Sequence, residues 1–383
     1  MRRHDSNQSL VEEFYQVYAA QPTLLACAPG RVDLMGSHTD YNQGYVLTLP
    51  INRFTWIAAQ PRDDRTVNIR SMNLEGVSSF HLDDISHDES YPWADYVRGV
   101  AAMLQEAGYL LEGFDGLISS TVPLRSGLSS SAALEVATAR LFQMRCGLEI
   151  DPVKIALICQ RAENQFVGMN CGILDQYTAS VGIVGGALLL DCRELTSQQV
   201  SIPGALSIVI CDTRTKRELS GTEYPQRRAH CEQGAMILGM SIPGIKALRD
   251  VTLDQYQMHE YQLPPVVRRR CRFIIEENQR VLEMSEALST GEMGKVSQLT
   301  RASYQGAGEL YEIVSPEMDL MMEAMLNAPG VIGARQAGAG FGGCMVSFVH
   351  SAAVAQFSAH VSRAYLKSTQ IEPQVYPVSG EES

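Results

Sequence analysis

At 383 residues the chain is long enough for two domains of roughly 150 residues each, with ample core and no need of disulfide or metal staples. Apolar residues at 45% exclude a disordered or fibrous chain. Lys and Arg number 31 against 43 Asp and Glu, a formal charge of −12, which argues against nucleic-acid or anionic-membrane partners because both need a net basic face.

In chain order, Leu10 to Tyr18 reads as an amphipathic helix, and Leu24 to Val32 and Tyr45 to Ile51 as strands flanking a polar loop. Phe54 to Ala59 and Thr66 to Arg70 continue the β character. Trp93 to Tyr109 reads as a helix, Gly116 to Val122 as a strand and Ser129 to Cys146 as a second, Ala-rich helix. Asp151-Pro152 supplies an N-cap and first-turn proline for a helix reaching about Phe166. Ala187 to Asp191 and Leu206 to Cys211 are strand-like, and Arg217 to Asn327 is mostly helical. A Gly-rich stretch, Gly333 to Gly343, leads into a strand from Cys344, a helix near Ala352 to Leu366 and a closing strand in Pro373 to Pro377. Strands and helices without regular βαβ alternation predict an α+β fold, with a boundary dividing residues 1–200 from 201–383.

The nine cysteines are an odd count without a CxxC pair and read as thiols of a reducing cytosol. The N-terminal stretch has no apolar secretory segment, and the longest apolar run, near Gly182 to Leu190, is about half a membrane span. A soluble, cytoplasmic protein is expected.

Three glycine-rich stretches carry chemical signals. In Pro123 to Glu135 a strand ends, Gly127 permits a tight turn, and Ser129, Ser130 and Ser131 open a helix. Unpaired N–H groups and the helix dipole there suit an anion, small side chains let phosphate oxygens approach, and a serine hydroxyl can join a magnesium ion. The same residues equally suit a plain serine N-cap on a buried helix. The stretch is not a GxxxxGK[ST] phosphate loop. Gly338 to Gly343 spells GxGxxG, yet the segment after it is strand-like and too short for a dinucleotide-binding half. Close backbone approach to a ligand or to another strand, or a purely structural turn, accounts for its glycines. In Gly30 to Asn42, Arg31, His38 and Asp40 crowd one loop. That suits a hydroxyl-rich ligand, since Asp accepts while Arg and His donate; an Asx-turn with an incidental histidine is the alternative. No second histidine sits at ligand spacing for a metal, and no GxSxG supports a Ser/His/Asp triad.

Taken in order, these stretches resemble the GHMP small-molecule kinases, and among them the galactokinases. Gly30 to Asn42 resembles the sugar signature, Pro123 to Ala133 the phosphate loop, and Gly333 to Gly343 the third glycine motif. Two further matches are Ala162-Glu163-Asn with Cys171-Gly-Ile-Leu-Asp175-Gln176, and Lys216-Arg217-Glu with Tyr224, Arg227-Arg228 and Cys231-Glu232. The resemblance implies a ribosomal-S5-like N-terminal domain and a ferredoxin-like C-terminal domain. It implies ATP-dependent phosphorylation of a sugar's anomeric hydroxyl with Mg2+, and a monomer is expected rather than an obligate oligomer. Asp175 takes the place of the catalytic aspartate and Arg31 that of its partner. Arg31, Ser37, His38, Asp40, Gly172, Asp175 and Tyr224 take sugar-contacting places. Pro123, Ser126, Gly127, Leu128, Ser129, Ser130, Ser131, Ala132, Gly338 and Gly340 take ATP-binding places, and Ser131 and Glu163 magnesium places.

The chain departs from the galactokinase pattern at Asp33, usually Asn, at Ser37, usually Glu, and at Ala337, usually Thr. The run Arg31 to Gly36 followed by a small residue also resembles plant arabinokinases. Galactose is therefore the expected substrate, with L-arabinose, galacturonate or another galacto-configured sugar as alternatives, and a non-catalytic sugar and ATP sensor as a third reading.

Overall fold

The computed structural model describes residues 3–124, 126–215 and 223–378. Arg125, inside the phosphate-loop stretch, and Lys216 to Glu218 of the fifth match lie outside the described residues. The chain forms two units: residues 1–30, 52–123 and 129–181 make the first, and 31–51, 124–128 and 182–383 the second. The partition is interleaved, unlike a single cut near residue 200, because strands β1 (Leu24–Met35) and β2 (Tyr45–Pro61) are each shared between the units.

In the first unit, β3 (Thr66–Ser71) pairs antiparallel with β4 (Val77–His81) and parallel with β5 (Phe114–Ser120). β5 in turn pairs antiparallel with Thr55–Pro61 of β2. The parallel pair needs a crossover, and it contains α2 (Asp95–Glu106). α1 (Arg3–Tyr18) precedes β1, and its Tyr18 hydroxyl donates to the Gly116 carbonyl at 3.0 Å. α3 (Ser130–Cys146) and α4 (Pro152–Arg161) follow. The expected cap is present: Asp151 accepts from the Val153 and Lys154 N–H groups, with Pro152 in the first turn. Beyond Arg161 the helix widens into a π-helical turn, Ala162–Val167, and α5 (Leu174–Val181) closes the unit. Val97, Val100 and Leu104 of α2, Val136 and Phe142 of α3 and Ile155 and Ile158 of α4 pack with Ile57, Ile69 and Ile118 in its core.

In the second unit, Tyr45–Thr48 of β2 pairs with β6 (Ala187–Asp191), which pairs with β7 (Thr196–Val200). A four-stranded antiparallel sheet has the order β11-β8-β10-β9, from β8 (Leu206–Asp212), β9 (Val331–Gln336), β10 (Cys344–His350) and β11 (Gln374–Val378). Helices α6 (Glu223–Ser241), α7 (Leu253–His259), α8 (Pro265–Thr290), α9 (Met293–Glu309), α10 (Pro316–Leu326) and α11 (Val354–Thr369) complete it. Met318, Met321 and Met325 of α10 and Phe357 and Val361 of α11 form a core with Val209, Met345 and Val349.

The Gly-rich stretch begins inside β9. A Cβ on Gly333 would lie 2.2 Å from Thr300 Oγ1, so this glycine serves close packing of β9 against α9 rather than a turn. No disulfide joins the nine cysteines. Among the described residues, no helix is long and apolar enough to cross a membrane.

Candidate active site

The phosphate-loop stretch is held by its carbonyls. The Cys344 N–H donates to the Ser126 carbonyl at 3.1 Å, the Arg31 Nη1 to that of Gly127 at 2.7 Å, and the Arg31 N–H to that of Leu128 at 3.1 Å. Arg31 comes from the sugar signature, and Cys344 directly follows the third glycine motif as the first residue of β10. Arg31 is only 5% exposed, so its charge is well shielded from water.

After Leu128 the chain turns through Ser129 at φ +61 into the first turn of α3, which carries Ser130, Ser131 and Ala132. Ser129 occupies the N-cap position but makes no capping bond. Its hydroxyl donates to Asp175 Oδ2 at 2.6 Å instead. Asp175 is half-buried in the first turn of α5, just after the buried Gly172. The plain N-cap reading therefore fails for this serine, whose side chain faces a carboxylate.

Beside this pair lies a buried, acceptor-rich cluster of side chains. Glu163, on the π-helical turn and 7% exposed, accepts from Gln176 Nε2 at 2.5 Å and from Cys171 Sγ at 3.4 Å, and Ser131 also bonds it. Gln176 Nε2 also reaches Glu135 Oε2 at 3.0 Å. Burial, and then the Asp175 charge, push the Glu163 carboxyl up to about 7, and burial followed by Glu163 pushes Glu135 well above the usual range. Glu135 Oε1 and Gln176 Oε1 are buried without a hydrogen-bond partner. Oxygen acceptors in excess of donors suit a hard divalent cation, which takes oxygen ligands. Among the described residues no cluster of three His, Cys, Asp or Glu side chains forms a metal cage. A magnesium ion bound beside phosphates needs one or two protein carboxylates and no such cage.

A carboxyl whose folded pKa lies above its unfolded value loses stability as pH rises between the two, here from about 4.5 to about 7. In metal-free buffer the wild type is expected to lose melting temperature across that window relative to Glu163→Gln. Parallel pH profiles for the two proteins would contradict this.

The sugar-signature loop is built on Gly36, at φ +104, whose Cβ would lie 2.9 Å from both the Tyr45 carbonyl oxygen and Val281 Cγ2. Gly36→Ala is expected to cost about 1–3 kcal/mol through backbone strain alone, read as a lower denaturation midpoint; an unchanged midpoint would show that the loop adapts. His38 follows at φ +64 and is 5% exposed. Its Nε2 lies 2.9 Å from the Ala339 carbonyl and its Nδ1 2.9 Å from the Tyr41 hydroxyl. A carbonyl only accepts, so Nε2 carries the proton, and in the neutral ring the Tyr41 hydroxyl donates to Nδ1. Asp40, half-buried, opens a short 3-10 turn with Tyr41 and Asn42. The half-buried Tyr224 ring stands 5.3 Å from that of His38 and 5.7 Å from that of Tyr41.

Ser37 is 3% exposed, and its hydroxyl is fully engaged. It lies 3.2 Å from both Asp33 Oδ2 and the Gly338 carbonyl, and accepts from Arg335 Nη2 at 2.8 Å. Arg335 is buried completely and also reaches Asp33 Oδ2 at 3.3 Å, Glu277 Oε1 at 3.0 Å and Ser303 Oγ at 3.1 Å. Gly338 N–H donates to Asp33 Oδ1. Gly340, buried, stands two residues on at φ +78. Burial alone would raise the Asp33 carboxyl, but Arg335, Arg31 and the Gly338 N–H outweigh it and hold it below the usual range.

Arg335, Glu277 and Tyr311 escaped the sequence reading. Arg335 and Glu277 each left a signal. Arg335 stands among small residues of a buried strand, and Glu277 falls on the apolar stripe of α8 between Ile274 and Val281. A charge at such a place needs a buried partner.

Comparison with known families agrees with this geometry. Residues 12–61 match the galactokinase galactose-binding signature, 95–183 the GHMP kinases N terminal domain and 284–367 the GHMP kinases C terminal. The chain is 41% identical to the galactokinase of Roseiflexus sp. (strain RS-1) over 367 residues, covering 96% of this chain and 94% of that protein. It is likewise 41% identical to that of Chloroflexus aurantiacus over 369 residues, covering 96% and 95%. The crystal structure of Lactococcus lactis galactokinase complexed with galactose superposes with a TM-score of 0.92 at 31% identity, covering 97% of each chain. Methanococcus jannaschii mevalonate kinase, at 15% identity and a TM-score of 0.63, shares the fold.

Proposed function

Since the chain belongs to the GHMP kinases, and within them to the galactokinases, we propose that it transfers the γ-phosphoryl group of ATP to the anomeric hydroxyl of galactose. The products are galactose 1-phosphate and ADP. The observation that carries this reading is the hydrogen bond from Ser129 to Asp175, which ties a carboxylate to the serine that opens the phosphate-loop helix.

In this reading Asp175 orients the sugar hydroxyl and takes its proton, late in the reaction if the transition state is loose. Arg31 supplies positive charge against the negative charge of the transferring group. Asp40 accepts from two neighbouring sugar hydroxyls, so a sugar with one of them inverted leaves a buried acceptor unpaired. Gly172 and Tyr224 complete the sugar's surroundings. The stretch from Pro123 to Ala132, with Gly338 and Gly340, receives the nucleotide, its backbone N–H groups directed to phosphate oxygens. Glu163 and Ser131 would hold Mg2+, which neutralises phosphate charge when bound. The acidic composition supports the absence of a nucleic-acid or anionic-membrane partner, cysteines without a disulfide support a reducing cytosol, and we assign the protein as a monomer.

The test is the position of the phosphate in the product, read by phosphorus NMR with proton coupling. Coupling to the anomeric proton is expected. Phosphate on the sixth-carbon hydroxyl, or ATP hydrolysis without a sugar phosphate, would contradict the assignment.

A further inference from the structure

Ser37 and His38 take sugar-contacting places in the family pattern, yet the Ser37 hydroxyl and His38 Nε2 each lie within hydrogen-bond distance of a carbonyl of the third glycine motif. Three backbone groups of that motif are held by the sugar-signature loop. Asp33 accepts from the Gly338 N–H, Ser37 lies 3.2 Å from the Gly338 carbonyl, and His38 Nε2 donates to the Ala339 carbonyl at 2.9 Å. We propose that Ser37 and His38 are positioning residues which, with Asp33, fix the third glycine motif for the nucleotide, and that Ser37 does not choose the sugar.

Two further features support this. The segment they hold is hard to order by itself: Gly338, Gly340, Phe341, Gly342 and Gly343 all have positive φ, and glycines lose the most conformational freedom on being fixed. The groups that do the holding are themselves fixed. Arg335 grips Asp33 and Ser37 from beneath, braced by Glu277 and Ser303. His38 is set by a hydrogen-bond chain in which the Tyr41 hydroxyl lies 2.7 Å from that of Tyr311, and the Tyr311 hydroxyl 3.2 Å from Cys231 Sγ. With His38 Nε2 donating, each group directs its proton toward the histidine: Cys231 to Tyr311, Tyr311 to Tyr41, Tyr41 to Nδ1. The chain is consistent with the tautomer that the Ala339 carbonyl requires.

The consequence separates two kinetic parameters. Losing the Ser37 hydroxyl loosens the Gly338 carbonyl and leaves Arg335 one acceptor short, which acts on the nucleotide side. A serine facing the sugar would act on sugar discrimination instead. The proposal rests on the galactokinase reading for its assay. Initial rates of Ser37→Ala are to be measured with ATP varied at saturating galactose, and with galactose and L-arabinose compared at saturating ATP. The expected result is a KM for ATP raised at least fivefold and a galactose-to-arabinose ratio of kcat/KM within twofold of the wild type. An unchanged KM for ATP, or a sugar ratio shifted beyond twofold, overturns the proposal. Should Ser37→Ala fail to fold, Ser37→Cys, which keeps the size and weakens the hydrogen bonds, is judged by the same two numbers. If the wild type turns over no galactose, the functional reading falls by itself. The inference is then decided by ATP affinity from calorimetry, weaker in the variant if it holds and equal if it does not.

Discussion

Replacing Asp175 by Asn is expected to lower kcat by about 10²–10⁴-fold while galactose and ATP binding stay within a few-fold of the wild type. Asn keeps the shape of Asp and an oxygen able to accept from Ser129, so the hydrogen bond at 2.6 Å has a replacement. What it lacks is the capacity to take a proton. A second readout separates catalysis from architecture. The Asp175 charge is one of the causes that raise the Glu163 carboxyl, after burial. Removing it lets Glu163 ionise more easily, so above pH 7 the variant should be at least as stable as the wild type, as read by thermal melting. A variant that keeps near-normal turnover would remove Asp175 from its assigned role. One that is inactive and melts well below the wild type would make the aspartate structural.

Arg335→Leu should produce the largest loss of stability. Arg335 is 0% exposed and faces two carboxylates, Asp33 at 1% and Glu277 at 0%. Breaking a buried pair by removing one partner costs about 3–5 kcal/mol, because a charge remains without compensation. Glu277 keeps Arg280, whose Nε donates to it at 2.7 Å, so the burden falls mainly on Asp33. The pH dependence follows from the signs. In the wild type both carboxyls are held below their usual range, against the cost of burial, by these arginines. Their stabilisation is present above the unfolded pKa of about 4 and lost as pH falls through the folded values. Without Arg335, Asp33 loses the largest of the charges that oppose its burial, and the downward shift shrinks. The difference between wild type and variant should then be largest near neutrality and shrink on acidification, as read from denaturation midpoints. A gap that is small at pH 7 or widens in acid would show that the network is not the prop described.

The stretches that build the candidate site were legible in the sequence because backbone chemistry leaves a spelling. Small residues at the start of α3, the Asp151-Pro152 cap and Asp175 beside Gln176 each stand out from an apolar background. Partnerships did not. The departures at Asp33, Ser37 and Ala337 read along the chain as three separate changes, of which only Ser37 bears on the sugar. In the fold Asp33 and Ser37 touch one another and Arg335, and Ala337 precedes the Gly338 that they hold. Nothing in local spacing joins positions some 300 residues apart. Secondary structure was missed for a related reason. β9 contains Gly333 and Ala334, poor strand formers that suit their place only because α9 packs so closely. α5 is only eight residues long, too short for a helical period to declare itself.

A kinase whose acceptor is galactose is tested most directly by ADP release. It is to be followed with magnesium-ATP against galactose, L-arabinose, galacturonate, talose and glucose. Turnover with a clear preference for galactose is predicted, in keeping with a Ser37 that is turned away from sugar choice. A preference for arabinose or galacturonate would contradict the substrate and return Ser37 to the sugar site. Silence on every sugar, with Asp175 intact, would contradict the catalysis and leave a protein that binds without turning over.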